Sequence, residues 1–261
     1  MAEIKFSASE DAVVIGGGEP FPFCIIDGFL PQDVFEYATH GLPPITDPDW
    51  VFYNNPLEVK YALNNREKFP KVISHTVDIL YGELMRKTIP RVLGLTEKEV
   101  VPDPILLGAG IHAIPRGGKL DIHLDHNRND RLPNLERKVN AIYWFHDYWE
   151  PDWGGDLDLW TIKDGQPYEK AISIQCVPNR LALFKASDVS FHGHTDPLNC
   201  PEGIYRTSLA LYYYSDHLED SWERKKVHFY QTPGLQDSPE LVDLRKRRAD
   251  PNQAASVWRT K

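Results

Sequence analysis

The chain has 261 residues and 41% hydrophobic side chains, which suits one large domain with a substantial core. Its formal net charge of −9 argues against a broad binding surface for nucleic acid or for an anionic membrane. The three cysteines are widely spaced and form no CxxC motif, so we expect reduced thiols. Residues 1–5 show no secretion signal, and no run of about 18 apolar residues would span a membrane. We therefore expect a cytoplasmic protein.

The first part of the chain mixes strand and helix patterns. Residues 21–26 are apolar and precede Asp27-Gly28, which predicts a short strand and a turn. Pro31 is expected at the first position of a helix over residues 31–38. The four prolines within residues 42–60 predict a loop.

Residues 69–89 carry apolar side chains at helical spacing. Pro70 fits the first turn and Pro90 fits the end, so one helix is predicted, packed on the outside of a later sheet. Thr96 ahead of Glu99 has the spacing of a capping box and predicts the start of another helix.

From about residue 105 the pattern changes to short apolar or alternating runs separated by turns, which is typical of a sandwich or jelly roll. After residue 215 the sequence becomes polar, with a charged helix predicted over 241–248 and a frayed end over 249–261. The predicted strands are 105–114, 119–124, 139–145, 157–160, 171–177, 180–184, 190–192 and 206–214.

Two His-x-Asp triplets stand out, His123-Leu124-Asp125 and His194-Thr195-Asp196. About one such match is expected by chance, so only the context can choose between them. After Asp125 the chain has predicted strands and then His192, 67 residues later. After Asp196 too little chain is left to build a sheet that returns a third ligand. Two imidazoles and one carboxylate form the open-faced set that suits Fe(II) oxygenases, so we predict a metal at His123, Asp125 and His192.

The order of residues resembles that of the prolyl-4-hydroxylase-type Fe(II)/2-oxoglutarate dioxygenases over about residues 105–215. The ordered set is specific, although each part alone is weak. It consists of His123-x-Asp125, Trp153-Gly154-Gly155-x-Leu157, Arg180-Leu181-x-Leu183-Phe184, His192 and Arg206-x-Ser208.

The resemblance implies a double-stranded β-helix, which is a jelly roll with N-terminal helices packed on one side. Residues 1–104 would be a support region integral to the fold, 105–215 the dioxygenase core, and 216–261 a C-terminal helical extension. The implied reaction uses Fe(II), O2 and 2-oxoglutarate, with ascorbate as an additional candidate, and hydroxylates an unactivated C–H bond. A carboxylate ligand at Asp125 implies hydroxylation rather than halogenation.

Arg206 lies within a predicted buried strand, where an unpaired guanidinium is unfavourable. It needs an anion, and the distal carboxylate of 2-oxoglutarate offers a bidentate match. Ser208 faces the same way two residues later, and Asn140 is expected to line the same pocket. The alternatives are an internal acidic partner for Arg206 and local backbone hydrogen bonds for Ser208 and Asn140.

Other histidines leave alternatives open. His192 and His194 have the same strand parity, and the family's spacing favours His192 as the ligand. His194 would then either support the ligands from outside the metal's own coordination or face the substrate. His112 faces either the co-substrate or the core, and His126 is expected to be a loop residue. Many family members place a tyrosine against 2-oxoglutarate. Here Trp144 occupies the matching neighbourhood and parity turns Tyr143 away, so other groups must close part of the pocket.

The polar segment 126–137 is predicted to be a lid. Its Arg128, Arg131 and Arg137 suggest either an anionic substrate or, by preference, a solvated loop. The substrate is expected to be a small molecule or a peptide, and the oligomeric state is not predicted. Two rivals remain: a non-enzymatic jelly roll that binds sugar or metal, and a cupin-like enzyme that does not use 2-oxoglutarate.

Overall fold

The computed structural model describes residues 13–106, 108–128, 130–218 and 223–259. Residues 1–5, on which the expected absence of a secretion signal depends, and Asn129 of the predicted lid lie outside this part of the chain. Within it, no helix is long and apolar enough to cross a bilayer. The three cysteines are buried and free.

The described chain is mainly β, as the sequence predicted. The strands are β1 Val13–Gly17, β2 Phe23–Asp27, β3 Val51–Asn55, β4 Glu58–Leu63, β5 Val101–Pro102, β6 Gly110–Ile114, β7 Leu120–Leu124, β8 Glu136–Trp144, β9 Leu157–Lys163, β10 Gln166–Ile174, β11 Arg180–Lys185, β12 His192–His194, β13 Arg206–Ser215 and β14 His228–Phe229. The α-helices are α1 Gln32–Phe35, α2 Lys71–Tyr81, α3 Glu83–Leu93 and α4 Pro239–Ala249.

These strands form one curved antiparallel sheet, consistent with the double-stranded β-helix of 2-oxoglutarate oxygenases. Its main path runs β1-β2-β11-β8-β13-β6-β4-β7-β12-β9-β10, and β3, β5 and β14 pair at the sides. Long crossovers therefore bring β8 and β13 to one side and β7 and β12 to the other. This arrangement allows side chains from distant parts of the chain to meet inside the fold.

Alternation along the central strands divides the core into two parts. Tyr143 on β8 and Leu181 on β11 pack into the larger cluster, together with side chains from α2 and α3. Their neighbours Trp144 and Ala182 point to the opposite face and pack into a second cluster with β9 and β10. Because successive residues of a strand face opposite ways, one face is available for the helices and the other for the interior of the roll.

The single helix predicted over 69–89 is wrong, because the structure has two helices in this region. Gly82 separates α2 from α3 and adopts an extended conformation with ψ of 168°. Pro90 does not end the helix but lies within α3, buried in the core. The end comes at Gly94, whose left-handed φ of 66° closes the last turn. A buried proline loses only one intrahelical hydrogen bond, so a proline does not reliably mark a helix end.

The loop predicted over 42–60 is also wrong in its second half. Residues from Val51 onward form the β3–β4 hairpin, and Val51 pairs with Ala62. Pro56 lies in the turn, and the other three prolines precede the first strand. Proline composition alone missed the hairpin because a turn tolerates proline where a strand interior does not.

The frayed end predicted over 249–261 is wrong for residues 249–259, the part that the structure describes. Residues Ala254–Val257 form a 3-10 helix, and Val257 packs with Leu57 and Leu244. The backbone of Asn54 donates a hydrogen bond to the Trp258 carbonyl, so the chain end is attached to the hairpin. The strand predicted from 105 begins only at Gly110, because Asp103 accepts hydrogen bonds from two backbone amides and forms a turn.

We predict that Gly110→Ala destabilises the fold by about 2 kcal/mol or more. Gly110 has a φ of +115°, and an added Cβ would overlap the Leu63 carbonyl oxygen of the paired strand β4. Gly165→Ala is the matched control, because Gly165 also has a positive φ, of +74°, but faces open space. Urea unfolding of both variants measures the difference, and equal losses would contradict the proposed clash.

Candidate metal centre

Two paired strands bring the predicted ligands together. β7 and β12 are antiparallel neighbours in which His192 lies directly opposite His123. Asp125 follows the end of β7 and turns back toward both rings. One ligand atom from each of the three residues lies within 4.8 Å of the other two. Asp196 of the competing triplet is exposed and does not join this group.

Both histidine rings are held in one orientation by their own strands. The Nδ1 atom of His123 lies 2.9 Å from the Asp121 carbonyl oxygen, and that of His192 lies 2.8 Å from the Ser190 carbonyl oxygen. Because a carbonyl oxygen only accepts hydrogen bonds, each Nδ1 carries a proton, and each Nε2 is the ring nitrogen that faces Asp125. The Nε2 atoms lie 3.8 Å and 3.5 Å from the Asp125 carboxylate oxygens. This is the pattern of histidines prepared to bind a metal through Nε2.

The protonation states suit metal binding. Burial, together with the neighbouring His192, lowers the pKa of His123 to about 3, so the ring is neutral near pH 7. Burial by itself would raise the pKa of Asp125. The guanidinium of Arg137 and the nearby His192 outweigh that effect and hold this pKa well below its usual range. The neutral ring of His123 and the ionised carboxylate of Asp125 are both in the form that binds a metal ion.

Asp125 is held by two partners from β8. Arg137 Nη1 lies 3.0 Å from the Asp125 Oδ2 atom, and the Asn140 amide donates to the same atom at 2.7 Å. The sequence predicted Asn140 as a co-substrate residue, and it does line the cavity, but its amide is engaged with the carboxylate. Arg137 and Asn140 together restrict the rotation of the Asp125 side chain.

The solvated-loop interpretation of Arg137 is wrong, because this side chain is fully buried at the start of β8. Its guanidinium carbon lies 3.4 Å from the ring centroid of Tyr212, and its Nη2 lies 3.0 Å from His126 Nε2. Arg128 is also engaged, since it pairs with Glu136 at 2.7 Å. Polar composition predicted a loop here, but the pairing of β8 with β13 places the last residues of the segment inside the fold.

A cavity of about 70 Å³ is lined in part by the three residues of the triad. Apolar side chains including Ile114, Ile142 and Leu157 form part of its wall. Its polar lining, apart from the three predicted ligands, comes from Lys60, His112, Asn140, His194, Arg206, Ser208 and Tyr212.

Arg206 is 4% exposed and has no carboxylate partner within the described chain. The acidic partner considered as an alternative is therefore not found there. Its Nε donates to the Gly155 carbonyl oxygen at 2.7 Å, and its guanidinium carbon lies 5.3 Å from the Trp144 ring centroid. A buried cation without an anion is costly, which makes this residue a candidate binding group for an anionic ligand. Ser208, on the same strand face, is 2% exposed.

The Gly154-Gly155 pair explains part of the tryptophan-glycine-glycine motif. Gly155 has a φ of +86°, and an added Cβ would lie 2.8 Å from Arg206 Cδ and 2.9 Å from Leu198 Cδ2. Only glycine allows its carbonyl to approach the arginine this closely. Gly154 also has a positive φ, of +75°, but faces open space.

Sequence reasoning missed Lys60 and the role of Arg137. Lys60 lies in the hairpin that was predicted to be a loop, and it pairs with Glu58 at 3.4 Å. Its position gave no signal because the pairing of β4 with β6 and β7 joins residues far apart in sequence. Tyr143 points away from the cavity as parity predicted, and its hydroxyl donates to Asn179.

We predict that Arg137→Met lowers the free energy of unfolding by about 3 kcal/mol near neutral pH, because Asp125 is left buried without its cation. The lowered pKa means that Asp125 contributes stability above the ordinary carboxyl pKa of about 4, and that this contribution is lost as the pH falls below it. The difference between wild type and variant should therefore shrink toward about pH 3.

Urea unfolding of the metal-free proteins across this pH range measures the effect. Arg247→Met is the control, since the Arg247 side chain is 41% exposed and its ion pair with Asp243 is long, at 3.9 Å. That change should stay within about 0.5 kcal/mol. A loss for Arg137→Met that does not vary with pH would show that packing, rather than the charge of Asp125, accounts for the destabilisation.

Comparison with known proteins agrees with this geometry. The family model described as "2OG-Fe(II) oxygenase superfamily" matches residues 109–214. A prolyl-4-hydroxylase from Pseudomonas putida superposes with a TM-score of 0.52 at 18% identity, covering 74% of this chain and 92% of that one. A prolyl hydroxylase from Trichoplax adhaerens, solved with a hypoxia inducible factor peptide fragment, has a TM-score of 0.53 at 19% identity, covering 74% and 84%. No curated protein matches the chain.

The structural neighbours establish the fold, and the family match covers the strands that carry the triad and Arg206. The family's cofactors are Fe(II), 2-oxoglutarate and O2, and the triad has the donor set that suits this iron. Residues 109–214 are thus a domain of the 2OG-Fe(II) oxygenase superfamily, and the chain is a 2-oxoglutarate-dependent dioxygenase with a prolyl-4-hydroxylase-like fold.

Proposed function

We propose that the chain hydroxylates an unactivated C–H bond of a small-molecule or peptidyl substrate and converts 2-oxoglutarate to succinate and CO2. His123, Asp125 and His192 would hold the iron, and Arg206 with Ser208 would hold the distal carboxylate of 2-oxoglutarate. The observation that carries this proposal is the unpaired, buried guanidinium of Arg206 in the same cavity as the triad. A cavity with both groups suits a dianionic acid that also reaches a metal.

Bound iron supplies the activation of dioxygen, which the protein side chains cannot perform. The remaining tasks fall to the chain itself. Asn140 and Arg137 hold the Asp125 carboxylate in place, and the backbone carbonyls of Asp121 and Ser190 orient the two rings. Apolar wall residues such as Ile142 and Leu157 limit the access of water to the cavity.

The same observations argue against the two rival functions. A plain sugar- or metal-binding jelly roll has no need of a buried arginine without an anion. A cupin-like enzyme that does not use 2-oxoglutarate usually has more histidine ligands than this group of two histidines and one aspartate. Neither rival explains why residue 155 is a glycine, whose lack of a Cβ lets its carbonyl oxygen accept a hydrogen bond from Arg206.

We expect purified protein with Fe(II), 2-oxoglutarate and O2 to release succinate slowly without any prime substrate. His192→Ala should abolish this release and lower the iron content while the protein remains folded, because one of three ligands is lost. His75→Ala, which changes an exposed histidine of α2, is the control and should retain both. Succinate and metal analysis provide the measurement, and tight binding of iron without succinate release would favour a binding module.

Arg206→Ala should weaken 2-oxoglutarate binding by about 30-fold or more, because a desolvated charge pair is lost, and should leave iron binding unchanged. Gly155→Ala should weaken it roughly tenfold, since the new Cβ displaces the arginine. Gly154→Ala is the matched control and should not weaken binding. Calorimetry on the Fe(II) protein without dioxygen measures all three, and unchanged affinity in Arg206→Ala would overturn the assignment.

A further inference from the structure

His194 is buried in a way that the reaction described so far does not explain. It is 5% exposed, it lines the cavity beside the triad, and neither ring nitrogen has a hydrogen-bond partner within the described chain. An unsatisfied buried donor or acceptor is unfavourable, and native proteins leave few of them. Two such atoms on one ring inside a cavity indicate that a bound molecule supplies the partner.

The strand places this ring away from the metal position. His194 follows His192 by two residues on β12, so both face the cavity, about 7 Å apart along the strand. His192 lies opposite His123, whereas His194 lies opposite Leu120, at the end of β7 remote from Asp125. His194 is therefore displaced from the triad toward the side away from the carboxylate ligand.

The charges around His194 are cationic. Arg206 and Lys60 line the same cavity as His194. A histidine ring carries at least one N–H donor in either of its protonation states. A cavity with an imidazole N–H and two cationic side chains suits an anionic ligand, to which the ring can donate a charge-assisted hydrogen bond.

We propose that His194 binds the distal carboxylate of 2-oxoglutarate together with Arg206 and Ser208. This inference rests on the proposed function and deepens it, because it assigns a donor that the family-like motifs do not include. Trp144 packs against Arg206 behind the cavity wall and offers no acceptor. His194 supplies a hydrogen bond from a distant strand of the same curved sheet, so the carboxylate is held from both β12 and β13.

The test compares two ligands on the full-length protein loaded with Fe(II) in the absence of dioxygen. 2-Oxoglutarate has the distal carboxylate, whereas 2-oxopentanoate keeps the same chain and 2-oxo acid end but finishes in a methyl group. Calorimetry gives the dissociation constants for wild type, His194→Leu, which fills the space without a donor, and His194→Gln, which retains one. His194→Asn, with a shorter amide, replaces the leucine variant if that variant fails to fold.

His194→Leu should weaken 2-oxoglutarate binding roughly tenfold and leave 2-oxopentanoate binding within about twofold of wild type. His194→Gln should recover most of the lost affinity. Unchanged 2-oxoglutarate affinity, or an equal loss for both ligands, would overturn the role of His194 while the proposed function stands. Failure of the iron-loaded wild type to bind 2-oxoglutarate would instead overturn the proposed function.

Discussion

The pairing of β7 with β12 is the constraint on which the rest of the site depends. These strands are 67 residues apart between Asp125 and His192, yet their register sets the two histidines side by side. Each ring is oriented by a carbonyl of its own strand, so the direction of both Nε2 atoms follows from backbone geometry. A shift of one residue in this register would turn one histidine to the other face of the sheet, and the three ligand residues would no longer meet.

Two buried guanidiniums define the electrostatics of the cavity, and they do so in opposite ways. Arg137 is paired with Asp125 and covered by Tyr212, so its charge is used within the protein. Arg206 has a backbone carbonyl, an aromatic ring and the Cys176 thiol beside it but no carboxylate of the described residues, so its charge has no anionic partner there. The first keeps the carboxylate ionised and in place, and the second gives the cavity the positive charge on which the proposed binding of 2-oxoglutarate depends.

Much of the site was predictable because its residues obey strand parity. His123 with Asp125, and Arg206 with Ser208, are each two residues apart, so extended backbone puts each pair on one face. Tyr143 and Trp144 separated to opposite faces for the same reason. The predictions that were wrong concern residues whose local composition misleads, namely the prolines of 42–60, Pro90 within α3 and the polar segment that ends at Arg137.

The sequence by itself determined the mainly β class, the order of the strands and the chemical types that line the site, because alternation and motif spacing are local properties. Only the tertiary structure decided which charges are paired. Arg137 and Arg206 look alike in sequence, but the fold places an aspartate beside Arg137 and, among the residues that the structure describes, no acid beside Arg206. The fold also decides that Lys60 and His194 line the cavity. Pairing of this kind depends on strand neighbours distant along the chain, and no local pattern records it.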